Sequence, residues 1–103
     1  MASKNRPATE VSLNLVWTAT AAQNRDEQLT YIGQDNPSAA MRLDLEIDAQ
    51  IGNLQTYPEI GRIGRIPETR ELVISRTPFI AVYRIRQNTV QILRLLHGAQ
   101  QWP

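Results

Sequence analysis

Two long apolar runs separated by one turn lie in the C-terminal third of the chain, and they constrain its fold more than any other feature. Phe79 to Arg86 (FIAVYRIR) is nearly continuously apolar, which is typical of a central strand covered on both faces. Gln87-Asn88-Thr89 has the composition of a hairpin turn, and Val90 to His97 (VQILRLLH) is predicted to be the last strand. The rest of the chain must therefore supply the elements that cover this hairpin.

A strand and a first helix are predicted in the N-terminal part of the chain. The strand covers residues 12–17, where apolar and polar residues largely alternate. Thr18 offers the N-cap of a helix over residues 19–34. The residues expected to lie on one apolar side of this helix are Ala22, Leu29 and Ile32.

A second helix is predicted to start at Asn36-Pro37, because asparagine is a favourable N-cap and proline fits the first helical position. Tyr57-Pro58 is expected to close it, since the residue before a proline is driven out of the helical region. So short a turn between the two helices predicts an antiparallel hairpin. The apolar stripe of the second helix consists of Ala40, Leu43, Ile47, Ile51 and Leu54, and Met41 and Leu45 widen it.

The predicted fold class is α+β. Residues 59–68 (EIGRIGRIPE) contain two glycines and a proline and are expected to be a loop, and residues 70–75 form another strand. An N-terminal strand, an antiparallel two-helix hairpin and three antiparallel strands then form one four-stranded sheet packed on the helices. Residues 1–11 are polar and aperiodic and are expected to be a flexible arm, and residues 12–103 form a single domain.

Composition excludes several kinds of site. The 103 residues include no cysteine and one histidine, His97, so we expect no disulfide, no metal and no cofactor. The net charge of +1 argues against a strongly electrostatic nucleic-acid binder, although basic residues concentrate between Arg62 and Arg94. Neither a membrane-spanning run nor a signal peptide is visible, so we expect a cytoplasmic protein without a membrane partner.

Several motifs follow one another along the chain in a particular order and spacing. They are a first strand ending in Trp17, a helical hairpin, Pro58-x-x-Gly61-Arg62, Thr69-Arg70-Glu71-Leu72-Val73, Tyr83-Arg84, and residues 92–103 (ILRLLHGAQQWP). In this order and spacing they resemble the toxins of the RelE/ParE family of type II toxin–antitoxin systems, on the ParE-like branch. The resemblance covers the chain from about Leu13 to its end.

The resemblance implies one of two activities. RelE-like members are ribosome-dependent mRNA endonucleases that surround the scissile phosphate with Lys and Arg, and in some members Tyr or His, because this cleavage needs proton transfer and nearby cations. ParE-like members lack these residues and poison DNA gyrase. This chain has Ile80 in place of an arginine and Glu71 and Val73 in place of paired lysines, and residues 98–103 contain no Lys, Arg or Tyr.

These departures favour a non-enzymatic toxin that inhibits DNA gyrase by binding it and has no catalytic residues. The alternative is a RelE-like ribosome-dependent mRNA endonuclease, and a third class is an interaction module without toxicity. The residues hypothesised to contact the target are Arg70, Arg84, Arg94, His97 and Trp102.

The resemblance also implies a ParD-like antitoxin, which is a ribbon-helix-helix DNA-binding protein with a disordered C-terminal segment. That segment folds around the toxin, so the toxin meets operator DNA only through the antitoxin. An apolar groove along the outer side of the helices is expected to receive it, with arginines pairing its acidic tail. The residues hypothesised to bind the antitoxin are Leu29, Tyr31, Met41, Leu45, Asp48, Arg62 and Arg65.

Several of these residues have a structural alternative. His97 is either a general base or a cap at the end of the last strand, and we favour the cap. Arg84 and Arg94 lie within apolar strands, so we favour an ion pair with Glu71 over a target contact. Trp102 either packs back on the sheet or anchors a partner.

For two further sets of residues, the sequence does not decide between a structural and a binding role. The three arginines of the predicted loop and the strand after it form either a binding patch or part of a solvated loop; they are Arg62, Arg65 and Arg70. The apolar residues at the margin of the helical stripe are either binding residues or core; they are Tyr31, Met41 and Leu45.

Overall fold

The computed structural model describes residues 12–98 and 100–103, and the predicted N-terminal arm lies outside them. It confirms the α+β fold class and the order of one strand, two helices and a C-terminal set of strands. The elements are β1 (Asn14–Trp17), α1 (Ala19–Asp35), α2 (Pro37–Gly52), a 3₁₀ turn (Asn53–Gln55), β2 (Arg62–Ile63), β3 (Arg70–Val73), β4 (Phe79–Arg86) and β5 (Thr89–His97).

The strands form one sheet in the order β1-β5-β4-β3-β2. β1 runs parallel to β5, and all other neighbours are antiparallel. The sheet has five strands because β2 pairs with β3, so the expectation that residues 59–68 are entirely loop was wrong. A strand of two residues is too short to produce a visible alternation of apolar and polar positions.

Both helices begin where their caps were predicted. The Thr18 hydroxyl accepts a hydrogen bond from the Ala21 N–H, and the Asn36 side chain accepts one from the Ala39 N–H, with Pro37 at the first helical position. These side chains satisfy backbone donors that have no partner within the helix. The helical hairpin is thus specified locally.

The hydrophobic core lies between the helices and one face of the sheet. From α2 and the 3₁₀ turn, Leu43, Ile47, Ile51 and Leu54 are buried as predicted. On α1, Ala21 is buried whereas Ala22 is exposed, which corrects the predicted apolar side. The sheet contributes Ile74, Phe79, Ala81, Tyr83, Val90, Ile92 and Leu95.

The orientation of α1 follows from its contact with β5. β1 pairs only with the first half of β5, up to Ile92. Beyond Ile92, polar side chains of α1 replace β1 as the hydrogen-bond partners of β5. The Asn24 amide oxygen accepts from the Leu95 N–H at 3.1 Å, and the Gln28 amide donates to the Leu95 carbonyl at 2.8 Å. Backbone groups at a sheet edge need such partners. Ala21 lies on this same helical side, which explains its burial.

The β4–β5 hairpin has the tight turn that its sequence predicted. Arg86 lies opposite Thr89, so the loop consists of Gln87 and Asn88 alone. Both have positive φ, 51° and 65°, which is the conformation of a type I′ turn. A β-bulge interrupts the ladder between Val82 and Tyr83.

Candidate interaction surfaces

The outer face of α2 carries large apolar side chains that the core does not use. Met41 is 69% exposed and Leu45 is 68% exposed, so neither is core. Asp48 follows them at helical spacing and is also exposed. We call Met41, Leu45 and Asp48 the outer helical surface. A solvent-facing apolar pair on a helix is a common form of protein-binding site.

The other residues predicted to join this surface lie elsewhere. Leu29 packs partly against the core and lines a cavity of about 280 Å³ between the helices. Tyr31 is 75% exposed but lines a different cavity, of about 400 Å³, together with Ile32, Pro78 and His97. Leu29 and Tyr31, predicted to lie in one groove, therefore line two separate cavities.

Arg25 joins the two helices. Its guanidinium binds the carboxylates of Asp44 and Asp48, the latter at 2.8 Å, and lies 4.9 Å from the centre of the Trp17 ring. Burial alone would lower the pKa of Arg25, but the two carboxylates outweigh burial and raise it above its ordinary value. The exposed Asp48 carboxylate is thus already ion-paired within the toxin.

A buried carboxylate lies on the sheet face opposite the helices. Glu71 is 2% exposed, and Arg62 directly across the strand pair binds it at 2.9 Å. Arg65 adds its backbone N–H at 3.2 Å and its guanidinium at 3.6 Å. Burial alone would raise the pKa of Glu71, but these hydrogen bonds and charges outweigh it and lower that pKa.

The predicted pairing of Glu71 with Arg84 and Arg94 was wrong. Arg84 lies further along β4 and donates to the Gln91 side chain at 2.6 Å. Arg94 donates to the Leu93 carbonyl at 2.8 Å. Glu71 is satisfied instead by β2 and the segment after it, which the sequence had indicated only as loop.

The C-terminal tail lies over this same sheet face. The Trp102 ring stands 5.7 Å from the guanidinium of Arg94, and the Arg65 side chain donates to the Trp102 carbonyl at 2.7 Å. Trp102 lines a cavity with Ile66, Val82 and Leu93. Of the two alternatives for Trp102, the structure has the one in which it packs back on the sheet.

Tyr83 holds the turn before β2, a role that the sequence analysis did not assign. Its hydroxyl accepts from the Gly61 N–H at 2.9 Å and donates to the Pro58 carbonyl at 2.7 Å. A Cβ atom at Gly61 would stand 2.6 Å from that hydroxyl oxygen, so only glycine fits. Arg70 binds the same turn through the carbonyls of Glu59 and Gly61. Burial raises the pKa of Tyr83.

His97 ends β5 and is exposed. Its backbone N–H donates to the Gln100 side chain at 2.6 Å, and the Gln100 N–H returns a bond to the His97 carbonyl. The backbone around His97 therefore terminates the strand. The cavity that His97 lines contains Glu27, Gln28, Tyr31, Ile32 and Pro78 but no arginine.

A cavity of about 490 Å³ lies beside the short strand β2. We call it the arginine cleft. It brings together Arg70 and Arg84 of the predicted target-binding set and adds Arg86, which the sequence analysis had not singled out. The lining residues are Glu59, Ile63, Glu68, Thr69, Arg70, Arg84, Ile85 and Arg86.

The family model described as the ParE toxin of type II toxin–antitoxin system, parDE, matches residues 15–102. The chain belongs to the ParE toxin family. It is therefore a type II toxin of the RelE/ParE fold, and the family predicted from its motifs is confirmed.

Curated relatives of this ParE-family toxin include proteins named RelE. Y4kP of Sinorhizobium fredii, a protein named as a toxin, is 45% identical over 84% of this chain and 90% of its own length. Toxin RelE2 of Caulobacter vibrioides is 35% identical over 84% of this chain and 96% of its own length. Names alone therefore do not separate the two branches.

Among solved structures, the chromosomal ParDE toxin–antitoxin system from P. aeruginosa contains a chain that is similar in sequence and fold. It superposes with a TM-score of 0.77 at 29% identity and covers 84% of this toxin and 96% of that chain. The RelBE2 toxin–antitoxin complex from Mycobacterium tuberculosis matches with a TM-score of 0.58 at 22% identity, over 87% of this toxin and 95% of that chain, which establishes the fold alone.

Neither a metal-binding cluster nor a membrane-spanning helix is present in the described part of the toxin. No group of three or more His, Cys, Asp or Glu in residues 12–98 and 100–103 is arranged to hold a metal ion. Within the same residues, neither helix has the length and apolar character needed to cross a membrane.

Proposed function

We propose that this toxin acts by binding DNA gyrase and inhibiting it, without catalysis. The observation that carries the proposal is the buried Glu71 carboxylate, covered by Arg62 and Arg65, on the sheet face where the RelE-like resemblance would place paired lysines. Because Glu71 already engages both guanidinium groups, they are not free to stabilise a scissile phosphate. The match to the ParDE structure supports the same branch.

The test is a supercoiling assay with purified gyrase and the purified toxin, in parallel with mRNA cleavage on purified ribosomes. Inhibited supercoiling or gyrase-dependent DNA breaks, with intact mRNA, are the expected results. Cut mRNA with unaffected gyrase would contradict the proposal. It would favour the second candidate, a RelE-like ribonuclease. The reason to consider this candidate is the sequence similarity to relatives named RelE1 and RelE2.

We also propose that a ParD-like antitoxin neutralises the toxin by folding its C-terminal segment over the outer helical surface. The support is the exposure of Met41 and Leu45 on consecutive turns of α2, together with the antitoxins in the structural neighbours. An amphipathic helix binds such a surface through apolar anchors at this spacing. Operator DNA would then be reached only through the antitoxin.

The antitoxin site is tested with the double variant Met41→Glu/Leu45→Glu. Buried apolar anchors dominate such interfaces, so we expect its affinity for a ParD-like antitoxin to fall at least ~10-fold. The matched control is Val73→Glu, an exposed apolar residue on β3 that lies outside this surface. Unchanged affinity in the double variant, or an equal loss in the control, would refute the site.

A further inference from the structure

The charges of this toxin are divided unevenly between its helices and its sheet. Residues 19–52, which contain α1 and α2, carry six carboxylates and two arginines, a formal charge of −4. Residues 53–103 carry seven arginines and three glutamates, a formal charge of +4 with the histidine neutral. The net charge of +1 conceals this division, and the helical hairpin offers a negative surface to a partner.

Negative charge lies directly beside the outer helical surface, on its flank towards α1. Arg25 binds the carboxylates of both Asp44 and Asp48, so one guanidinium is shared by two carboxylates. The Arg25 side chain is 19% exposed, whereas the side chains of Asp44 and Asp48 are 47% and 64% exposed. The cation therefore lies beneath the two carboxylates, and an approaching molecule meets the negative groups first.

Asp26 adds a third carboxylate to this flank. It is exposed and lines the cavity of about 280 Å³ between the helices together with Arg25 and Asp44. Within the described residues, no arginine lies within ion-pair distance of Asp26. A lysine or arginine side chain suits such a cavity, because its aliphatic stem covers apolar groups while its charged end reaches the carboxylates. The apolar residues of the lining are Trp17, Ala22 and Leu29.

The apolar and the acidic side chains of α2 are neighbours on the helix. Asp44 follows Met41 by three residues, and Asp48 follows Leu45 by three, so each carboxylate lies beside an exposed apolar side chain. Arg42 is exposed as well, but each residue of an α-helix turns by about 100°, which places Arg42 on the flank away from Asp44. A helix that covers the apolar pair therefore comes within reach of the carboxylates.

The arginines that were expected to pair an acidic tail do not border this surface. Arg62 and Arg65 bind Glu71 on the sheet face opposite the helices. A bound acidic helix would thus face like charges along the α1 flank, and like charges disfavour binding.

We propose that the partner segment that covers the outer helical surface is a basic amphipathic helix. Its apolar side chains cover Met41 and Leu45, and its lysines or arginines meet the carboxylates of Asp26, Asp44 and Asp48. A second copy of the toxin cannot supply this helix from its own hairpin, because both helices are acidic. The inference rests on the proposed antitoxin site and adds the charge of the helix that binds there.

The first experiment measures which flanking charge the surface prefers. Three helical peptides share one leucine stripe and carry Lys, Gln or Glu at the flanking positions, and each is titrated with the whole toxin by fluorescence anisotropy. We expect the lysine peptide to bind at least ~10-fold more tightly than the glutamate peptide, with a difference that shrinks as salt rises. The net charge of +1 alone would favour the opposite order. Equal binding, or a preference for the glutamate peptide, would overturn the proposal.

The second experiment removes two of the carboxylates. Asp26→Asn/Asp48→Asn leaves Asp44 to hold Arg25 and should weaken the lysine peptide about 3- to 10-fold, since exposed ion pairs contribute modestly. The matched control is Glu59→Gln/Glu68→Gln, which removes two exposed carboxylates of the sheet half and should keep affinity within about 2-fold. Equal losses in both variants would reduce the effect to net charge and contradict the proposal. If Asp48 proves necessary for folding, Asp26→Asn alone repeats the test.

Charge reversal gives a result that a loss of stability would not produce. Asp26→Lys/Asp48→Lys should invert the order, so that the glutamate peptide binds more tightly than the lysine peptide. A variant that folds and still prefers the lysine peptide would refute the assignment of these carboxylates.

Met41→Glu/Leu45→Glu separates this inference from the antitoxin site on which it rests. The variant should weaken all three peptides, because their leucines lose the apolar contacts. If the affinity for a ParD-like antitoxin falls in this variant but not in Asp26→Asn/Asp48→Asn, the antitoxin site stands and the basic helix is refuted. If the antitoxin ignores both variants while the lysine peptide responds to both, the antitoxin site is refuted and the preference of the surface for a basic helix stands.

Discussion

At the scale of single residues, Tyr83 explains why two distant motifs occur together. Pro58-x-x-Gly61 forms a turn whose carbonyl and N–H both bind the Tyr83 hydroxyl, 22 residues beyond Gly61. The glycine is required because a side chain would collide with that hydroxyl. A buried hydroxyl with two partners stabilises the turn, and a turn without it would leave a buried donor unsatisfied.

Tyr83→Phe should therefore destabilise the fold while keeping its ring packing. We expect the free energy of unfolding, measured by urea denaturation, to fall by about 1–3 kcal/mol, because the Gly61 N–H loses its partner. The control is Tyr57→Phe, whose side chain is 62% exposed and should change stability little. Equal stability of the two variants would show that the hydroxyl bonds contribute nothing.

Glu71 links stability to pH. Its pKa is lowered in the folded toxin, so the unfolded chain binds this proton more readily. The contribution of the carboxylate is therefore complete above the usual value of 4.5 and is lost as the pH falls below that value through the folded pKa. Glu46 acts in the same direction, because Arg76 and Gln50 lower its pKa to about 2.

Glu71→Gln should be less stable than the wild type at neutral pH, and the difference should shrink in acid. We expect a loss of about 1–2 kcal/mol, below the value for a fully buried pair because solvent screens the half-exposed arginines. Urea titrations at a series of pH values provide the measurement. Glu27→Gln, which removes an exposed carboxylate of α1, is the control. A constant difference between wild type and Glu71→Gln across the acid range would contradict the assignment.

At the scale of elements, the helical hairpin is held by more than its apolar stripe. Arg25 of α1 binds Asp44 and Asp48 of α2 and stacks on Trp17 of β1, so one side chain contacts three elements. The guanidinium is mostly buried, whereas both carboxylates are partly exposed. Such a cluster sets the angle between elements as well as their stability.

Arg25→Gln should loosen α2 relative to the sheet. We expect a loss of about 1–2 kcal/mol in the free energy of unfolding and faster amide hydrogen exchange in both helices, because two charge-assisted contacts and the ring contact disappear. The control is Arg42→Gln on the exposed face of α2. Unchanged exchange in the helices would show that the cluster is not a structural link.

At the scale of the whole molecule, different segments cover the two faces of the sheet. The helices pack on one face, and the tail with Trp102, together with the segment containing Arg65, lies on the other. The buried Val82 belongs to this second face, which explains why β4 is apolar on both sides. The first part of the central strand, from Phe79 to Tyr83, is thus covered on both faces.

Trp102→Ala should uncover the second face. We expect the free energy of unfolding to fall by about 1–2 kcal/mol, since the ring is only partly buried, and Val82 to become accessible in hydrogen exchange. Gln101→Ala, at an exposed neighbouring position, is the control. If both variants unfold alike, the tail does not contribute to covering the sheet.

Local sequence signals determined the elements and the fold class of this toxin. Thr18 and Asn36-Pro37 mark both helix starts, the three- and four-residue spacing marks the core side of α2, and Gln87-Asn88 marks the hairpin. These features act between near neighbours in the chain, where caps, periodicity and positive φ operate. The family motifs are likewise short stretches of neighbouring residues, and the family model matches residues 15–102.

Only the tertiary structure decided which polar groups meet. Glu71 binds Arg62 and Arg65 because a two-residue strand, which no sequence pattern revealed, brings them together. Arg84 lies further along β4 and binds the Gln91 side chain instead. The partner of a buried charge depends on strand order, register and the β-bulge in β4–β5, which are properties of the assembled sheet. The sequence therefore indicated that a residue such as Glu71 needs a charged partner. Which residue is that partner depends on the neighbours that the folded sheet places beside it.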